Sequence, residues 1–220
     1  MEVEIKGRPA FAHLQAVLGS GEEIVAEAGA MASMGAGMDM KTRLNGGLIG
    51  GLLRKIFGGE TIFINTFTNR SSRPQQLVLT QPTPGDVMVR ELKGETYNLQ
   101  PGAFLACDKG IKLGLKWAGI ASFIAREGLF KMTASGNGRV WFGGYGGLLE
   151  REVKGDFIVD TSHLVAYDPG LKLKLQLAGG IFSSFFGGEG IVTRIEGNGK
   201  IIIQTRSMDT LASWLAPKVL

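Results

Sequence analysis

At 220 residues and 23.5 kDa, the chain can bury a substantial core, either as one body or as a compact stack of small units. Its formal charge of +4 comes from 24 Lys and Arg scattered among 20 acids, which is not the clustered basic stripe of a dedicated nucleic-acid binder, so nucleic acid is not an expected partner. Its 34 glycines follow no collagen period and mark turns and close backbone contacts, while the single Cys107 excludes an intramolecular disulfide and fits a reducing, cytoplasmic compartment.

Met1 to Lys6 reads as a charged, alternating strand rather than the apolar core of a signal peptide. A strand follows, then the polar hairpin Leu18-Gly19-Ser20-Gly21-Glu22, a second strand, and Ala30-Met31-Ala32. The run Met38 to Leu44 alternates apolar and polar residues, which places one strand face inside and the other in water. An apolar corner with glycines comes next, then a strand led by Gly59-Glu60, a loop over Asn69 to Gln76, and the Pro-rich linker Gln81-Pro82-Thr83-Pro84-Gly85.

The same order then recurs. Leu92-Lys93-Gly94-Glu95 and Val153-Lys154-Gly155-Asp156 read as the hairpins of a second and a third unit. Asp108-Lys109-Gly110 and Asp168-Pro169-Gly170 read as turns with a positive-φ glycine. The alternating strand returns as Ile111 to Trp117 and Leu171 to Leu177, at offsets of 73 and 60 residues from the first copy. Gly29, Gly102 and Ser162 share those offsets, so one register serves two separate segments. Gly136-Asn137-Gly138 and Gly197-Asn198-Gly199 predict closing hairpins, Asn-Gly being a strong signal for a tight turn. The expected fold is all-β: one body of three pseudo-repeated β-sandwich units over 1–84, 85–147 and 148–220, in a homo-oligomer. After Ser207, a plausible N-cap, residues 208–216 predict one short helix that packs Leu211, Trp214 and Leu215 and stops at Pro217.

The corners are the candidate interaction residues. Leu48, Ile49, Leu52, Leu53, Ile56 and Phe57, with Arg54 and Lys55, place apolar pairs every four residues, as one helical face does. Ile181, Phe182, Phe185 and Phe186 repeat the pattern. Burying six such side chains is worth on the order of 10 kcal/mol, and a short glycine-containing helix does not persist alone in water. The face is therefore expected to be covered. One reading seals each corner within its own sandwich or against a neighbouring subunit; the other docks it on a membrane surface or protein partner, with Arg54 and Lys55 meeting acidic groups. The longest uncharged apolar run, residues 175–188, spans 14 residues, short of the ~20 that cross a bilayer.

No catalytic, cofactor or metal residue is predicted. Met31, Met34, Met38 and Met40 suggest thioether ligands for Cu(I), but the repeat register places Met38 and Met40 where other copies carry Ile and Leu, which makes them strand core. His13 and His163 read as structural histidines; the rival reading gathers His163 with Cys107 and Asp108, at the matching turn of another unit, into a His/Cys/Asp cluster. Glu60, Glu127 and Glu189 recur once per unit and read as strand-leading caps or salt-bridge partners. No nucleophile elbow, phosphate loop or dinucleotide fingerprint appears.

Several motifs carry a resemblance. Gly46-Gly47 with its corner, Gly58-Gly59-Glu60, Thr66-Phe67-Thr68, Leu79 to Asp86, Asp160 to Ala166, Gly187-Gly188-Glu189-Gly190 and Gln204-Thr205-Arg206-Ser207 resemble the altered-inheritance-of-mitochondria family over nearly the whole chain. The resemblance implies a β-rich fold like that of the tryptophan RNA-binding attenuation protein (TRAP), of the double-stranded β-helix type. It carries no catalytic residues over. Ala118-Gly119-Ile120 and Arg126 in the second unit depart from the family's Gly-Gly pattern. The function expected is a non-enzymatic interaction or scaffold protein, in contact with a membrane or an assembly. The alternative is a small-molecule-binding or enzymatic β-protein with its site where the three units meet.

Overall fold

Alternating side chains dominate the chain, and they fold as strands. The computed structural model describes residues 1–44, 63–100, 102–117, 130–177 and 191–219. Within them the protein is nearly all β, with one α-helix at its C-terminal end.

In the first stretch, β1 (Glu2–Lys6) pairs antiparallel with β2 (His13–Leu18), β2 with β7 (Gln75–Thr80), and β7 with β4 (Met31–Met34), forming a four-stranded sheet. β3 (Glu23–Glu27) pairs with β6 (Phe63–Asn69), and β6 with β5 (Met38–Leu44). Period-two burial is clear in β2, where Leu14, Ala16 and Leu18 are buried and Gln15 and Val17 face water.

Longer strands carry the rest. β8 (Val87–Leu99) and β11 (Phe130–Gly143) run antiparallel, and β9 (Phe104–Asp108) and β10 (Ile111–Trp117) both pair with β11. In the third stretch β12 (Leu148–Asp160) pairs with β15 (Ile191–Gln204), which also takes β13 (Leu164–Tyr167) and β14 (Lys172–Leu177). Two pairings link the stretches: β9 with β3, and β13 with β8. The result is an open eleven-stranded sheet beside the four-stranded one.

Three features correct the sequence expectations. The Lys-Gly-acid and Gly-Asn-Gly segments of the second and third stretches are not hairpins. Each lies in the middle of a continuous strand of 13 or 14 residues. Gly94 (φ 98°) and Gly136 (φ 116°) kink β8 and β11 at the point where their register shifts, so one long strand changes direction without a loop. Gly110 and Gly170 are not at positive φ. The second of these turns closes by Leu171 N–H donating to Asp168 O (3.2 Å), a turn with Pro169 in its second position that needs no left-handed residue.

The third correction concerns the helix α1 (Met208–Val219), which runs through Pro217. Ser207 does cap it, its hydroxyl accepting from Thr210 N–H (3.3 Å). However, Trp214 is 58% exposed and Leu215 also faces solvent, so of the three residues expected to pack only Leu211 is partly covered.

The buried side chains form three clusters. One gathers Leu14, Leu18, Ile24, Phe67, Leu77 and Leu79 of the first stretch with Leu105, Ala106 and Trp141 of the second. Another surrounds Leu92, Tyr97, Leu99, Met132 and Phe142, and takes in Val165, Ala166 and Ile202 of the third stretch. The last, around Val153, Val159, Ile195 and Ile201, holds residues of the third stretch alone.

Candidate functional site

All twelve corner residues, Leu48, Ile49, Leu52, Leu53, Arg54, Lys55, Ile56, Phe57, Ile181, Phe182, Phe185 and Phe186, lie outside the described residues, as do Glu60, Glu127 and Glu189. The strands that flank the corners are described. Each corner joins the paired ends of two antiparallel strands: Leu44 opposite Phe63, Trp117 opposite Phe130, and Leu177 opposite Ile191.

The best-defined polar cluster lies where the two linkers meet. Gly85 and Gly146 form a parallel bridge, with Asp86 N–H donating to Gly146 O (2.8 Å) and Gly146 N–H to Pro84 O (3.0 Å). Asp86 is buried and receives both Arg8 Nε (2.8 Å) and an Arg8 terminal amine (2.9 Å), a bidentate ion pair, together with Val87 N–H (2.9 Å). Gln81 donates to Gly144 O (3.0 Å), and Ala12 N–H to Gly85 O (2.9 Å). On the far side, Tyr145 N–H donates to the Gln204 amide oxygen (2.8 Å), while the Gln204 amine donates to Ser162 O (2.9 Å). Residues 8–12, 81–87, 143–147 and 204–206 are thereby tied into one knot. Its described hydrogen bonds are internal: Arg8 pairs with Asp86, while Gln81 and Gln204 hold backbone groups.

The histidines do not converge. The Nδ1 of His163 lies 2.7 Å from Gln204 O, and that of His13 lies 3.3 Å from Phe11 O. Asp108 is engaged by Arg139 through Nε (2.9 Å) and backbone N–H (2.8 Å). Cys107 is wholly buried between β3 and β11, and burial pushes its thiol up to about 12, which leaves it inert as a nucleophile. Among the described residues no group of three or more His, Cys, Asp or Glu could hold a metal ion.

The methionines divide. Met38 is core, as its register predicts, but Met40 is exposed, along with Met31 and Met34. Met40 lies opposite Phe67 on the same face, but β5 is the edge strand of its sheet; the shared register sets the strand, not the depth of every side chain on it.

Two groups escaped sequence reading. Asn69 is fully buried with its amide satisfied on all sides: it donates to Leu18 O (2.9 Å) and Arg73 O (2.8 Å) and accepts from the Ser71 N–H and hydroxyl (2.9 Å each). Glu27 ends β3 opposite Ile64, half-buried, and burial raises its carboxyl to about 7. An Asn opening a polar loop and an acid closing a strand look ordinary in sequence, because only the tertiary fold covers them.

The model of a protein family described as Mitochondrial biogenesis AIM24 matches residues 3–206. The chain belongs to this family. An uncharacterized protein of Streptococcus pyogenes serotype M6 is 30% identical over 204 residues, covering 89% of this chain and 82% of its own length. An X-ray crystal structure of a Streptococcus pyogenes protein superposes with a TM-score of 0.80 at 28% identity, covering 99% of both chains. The altered-inheritance-of-mitochondria resemblance read from the motifs is thus correct. The AIM24-family match stops at residue 206, just before the exposed helix α1.

Proposed function

We propose that this AIM24-family chain is a non-enzymatic interaction or scaffold protein, acting in the cytoplasm through apolar contact surfaces. The observation that carries the reading is the helix α1, a short helix that leaves Met208, Trp214 and Leu215 facing water. Exposed aromatic and aliphatic side chains grouped on one short element mark contact surfaces more often than solvated ones. The composition of the apolar corners supports the same reading, since six large apolar side chains in one short run call for a cover. The linker knot supports it as well, since Arg8, Asp86, Gln81 and Gln204 hydrogen-bond within the protein.

The proposal includes an architecture of three pseudo-repeats of the TRAP-like type. Its support is one bulge that recurs three times. Met31, Ser33 and Met34 pair with β7 while skipping Ala32; Phe104, Ala106 and Cys107 pair with β11 while skipping Leu105; Leu164, Ala166 and Tyr167 pair with β15 while skipping Val165. The offsets are the 73 and 60 residues found in the sequence.

Liposome flotation tests the reading, with Leu52→Asp, Phe185→Asp and Trp214→Asp beside the wild type and a light-scattering mass for each. Trp214→Asp is expected to stay folded, while the two corner variants lose mass or unfold and nothing floats. A wild type that floats, with folded corner variants that do not, transfers the corners to membrane docking. A small molecule that copurifies in native mass spectra and is lost in Asp86→Ala overturns the scaffold reading in favour of a binding site at the junction.

A further inference from the structure

The units are joined by the same strand contact used twice. Ala106 and Cys107 of β9 lie opposite Ala26 and Val25 of β3, and Ala166 and Tyr167 of β13 lie opposite Leu99 and Asn98 of β8. The short strands differ by 60 residues and the long ones by 73, so the two junctions share one register. Each short strand is thereby covered on both edges, and Leu105, Ala106, Cys107, Val165, Ala166 and Tyr167 are all buried.

A third junction of this kind has both of its halves but no contact. The corresponding short strand is β4, and among the described residues it pairs only with β7; Met31, Ala32, Ser33 and Met34 are all exposed. The corresponding long strand is the C-terminal half of β12, which among the described residues pairs only with β15. Asn98 and Leu99 lie opposite Thr133 and Met132, and Ile158 and Val159 lie opposite Arg194 and Thr193; Leu115 faces Met132 as Leu175 faces Thr193, which fixes the equivalence. The position just before it measures the missing cover. Ile24 is 0% exposed and Tyr97 3%, whereas Phe157 is 38% exposed, with Ile158 beside it facing water at 56%. The cores agree: the first two borrow side chains from the short strand of the following unit, and the third borrows none.

We propose that β4 of one copy adds to the C-terminal half of β12 in a second copy of this chain, head to tail, with Ser33 opposite Val159 and Met34 opposite Ile158. The partner is specified by the chain itself. β4 carries the same bulge as the two strands that make the existing junctions, so another copy presents the strand for which the open edge of β12 is built. Edge strands with free N–H and C=O groups pair readily, and adding a strand supplies main-chain hydrogen bonds while it buries Met31, Met34 and Ile158. Because the two surfaces differ, the contact is heterologous and builds a closed ring or an open series, not a twofold dimer. The inference rests on the pseudo-repeat reading above and names the partner of an interaction protein.

Mixing two complementary edge variants tests it. Met34→Lys places a charge on β4, and Ile158→Lys places one on β12; both side chains are exposed in the single chain, so each variant is expected to keep its circular dichroism and unfolding midpoint. Light scattering should find the wild type assembled and each variant alone at the 23.5 kDa chain mass. An equimolar mixture should form a dimer and stop there, since one intact β4 meets one intact β12. Should either variant unfold, Ser33→Lys and Phe157→Lys replace it at neighbouring exposed positions. A monomeric wild type, variants that assemble as the wild type does, or a mixture that stays monomeric overturns the proposal. Those outcomes leave flotation and α1 contacts untouched, so failure of this junction is distinguishable from failure of the interaction role.

Discussion

Glu27 shows how a single side chain sets the pH response. Its carboxyl, half-buried at the end of β3, titrates near 7 because burial penalises the charged form. A folded-state value above the unfolded one means that the folded chain holds the extra proton. Stability is therefore full at acid pH, below the ordinary carboxylate range, and falls as pH rises towards 7 and beyond. The shift sets a ceiling of about 3 kcal/mol, and partial solvent access reduces it to about 1–2 kcal/mol. Glu27→Gln should match the wild type in urea at pH 4 and exceed it by that amount at pH 8. Parallel pH profiles for the two proteins would remove Glu27 from the account. The aligned position one unit on is Gln100, where an amide already stands.

Among the elements, the linkers are the most tightly specified. A Cβ on Gly85 would stand 2.0 Å from Gly144 O, so the two linkers could no longer touch and the Asp86–Gly146 hydrogen bond would open. Gly94 is different: its φ of 98° disfavours other residues, but a Cβ there meets nothing within 4 Å. Gly85→Ala should cost more than about 3 kcal/mol, whereas Gly94→Ala should cost about 1–2 kcal/mol, the backbone term alone. Paired urea titrations separate them, and equal costs would mean that the knot yields more easily than its geometry implies. The strands that bend at these glycines also explain why Asn-Gly misled the sequence reading. The local signal for a φ > 0 residue is real, but a mid-strand kink uses it as readily as a hairpin does.

For the whole molecule, the β body should stand without its C-terminal helix. Only Ser207 is buried at the start of α1, and the rest of the helix is exposed or at most half-buried. Truncation after Ser207 should move the thermal midpoint by less than about 3 °C, which a melting curve reads directly. A larger drop would show that α1 braces the sheets and is not free to engage a partner.

Much of this was legible in the chain itself. Period-two alternation determined the strands, since a pleated strand puts neighbouring side chains on opposite faces, and β1 and β5 were found that way. The 73- and 60-residue offsets read from Met38, Ile111 and Leu171 reappear in the pairing of the bulged short strands. Family membership was legible too, because its motifs are local. Depth was not, because burial depends on what arrives from elsewhere. Met40 and Trp214 carry core-type side chains yet face water, while Asn69 and Glu27 look like surface residues and are covered. The junction shows the same division. In the proposed repeat β4, β9 and β13 hold equivalent places, and only tertiary pairing buries two of them and leaves β4 at an open edge.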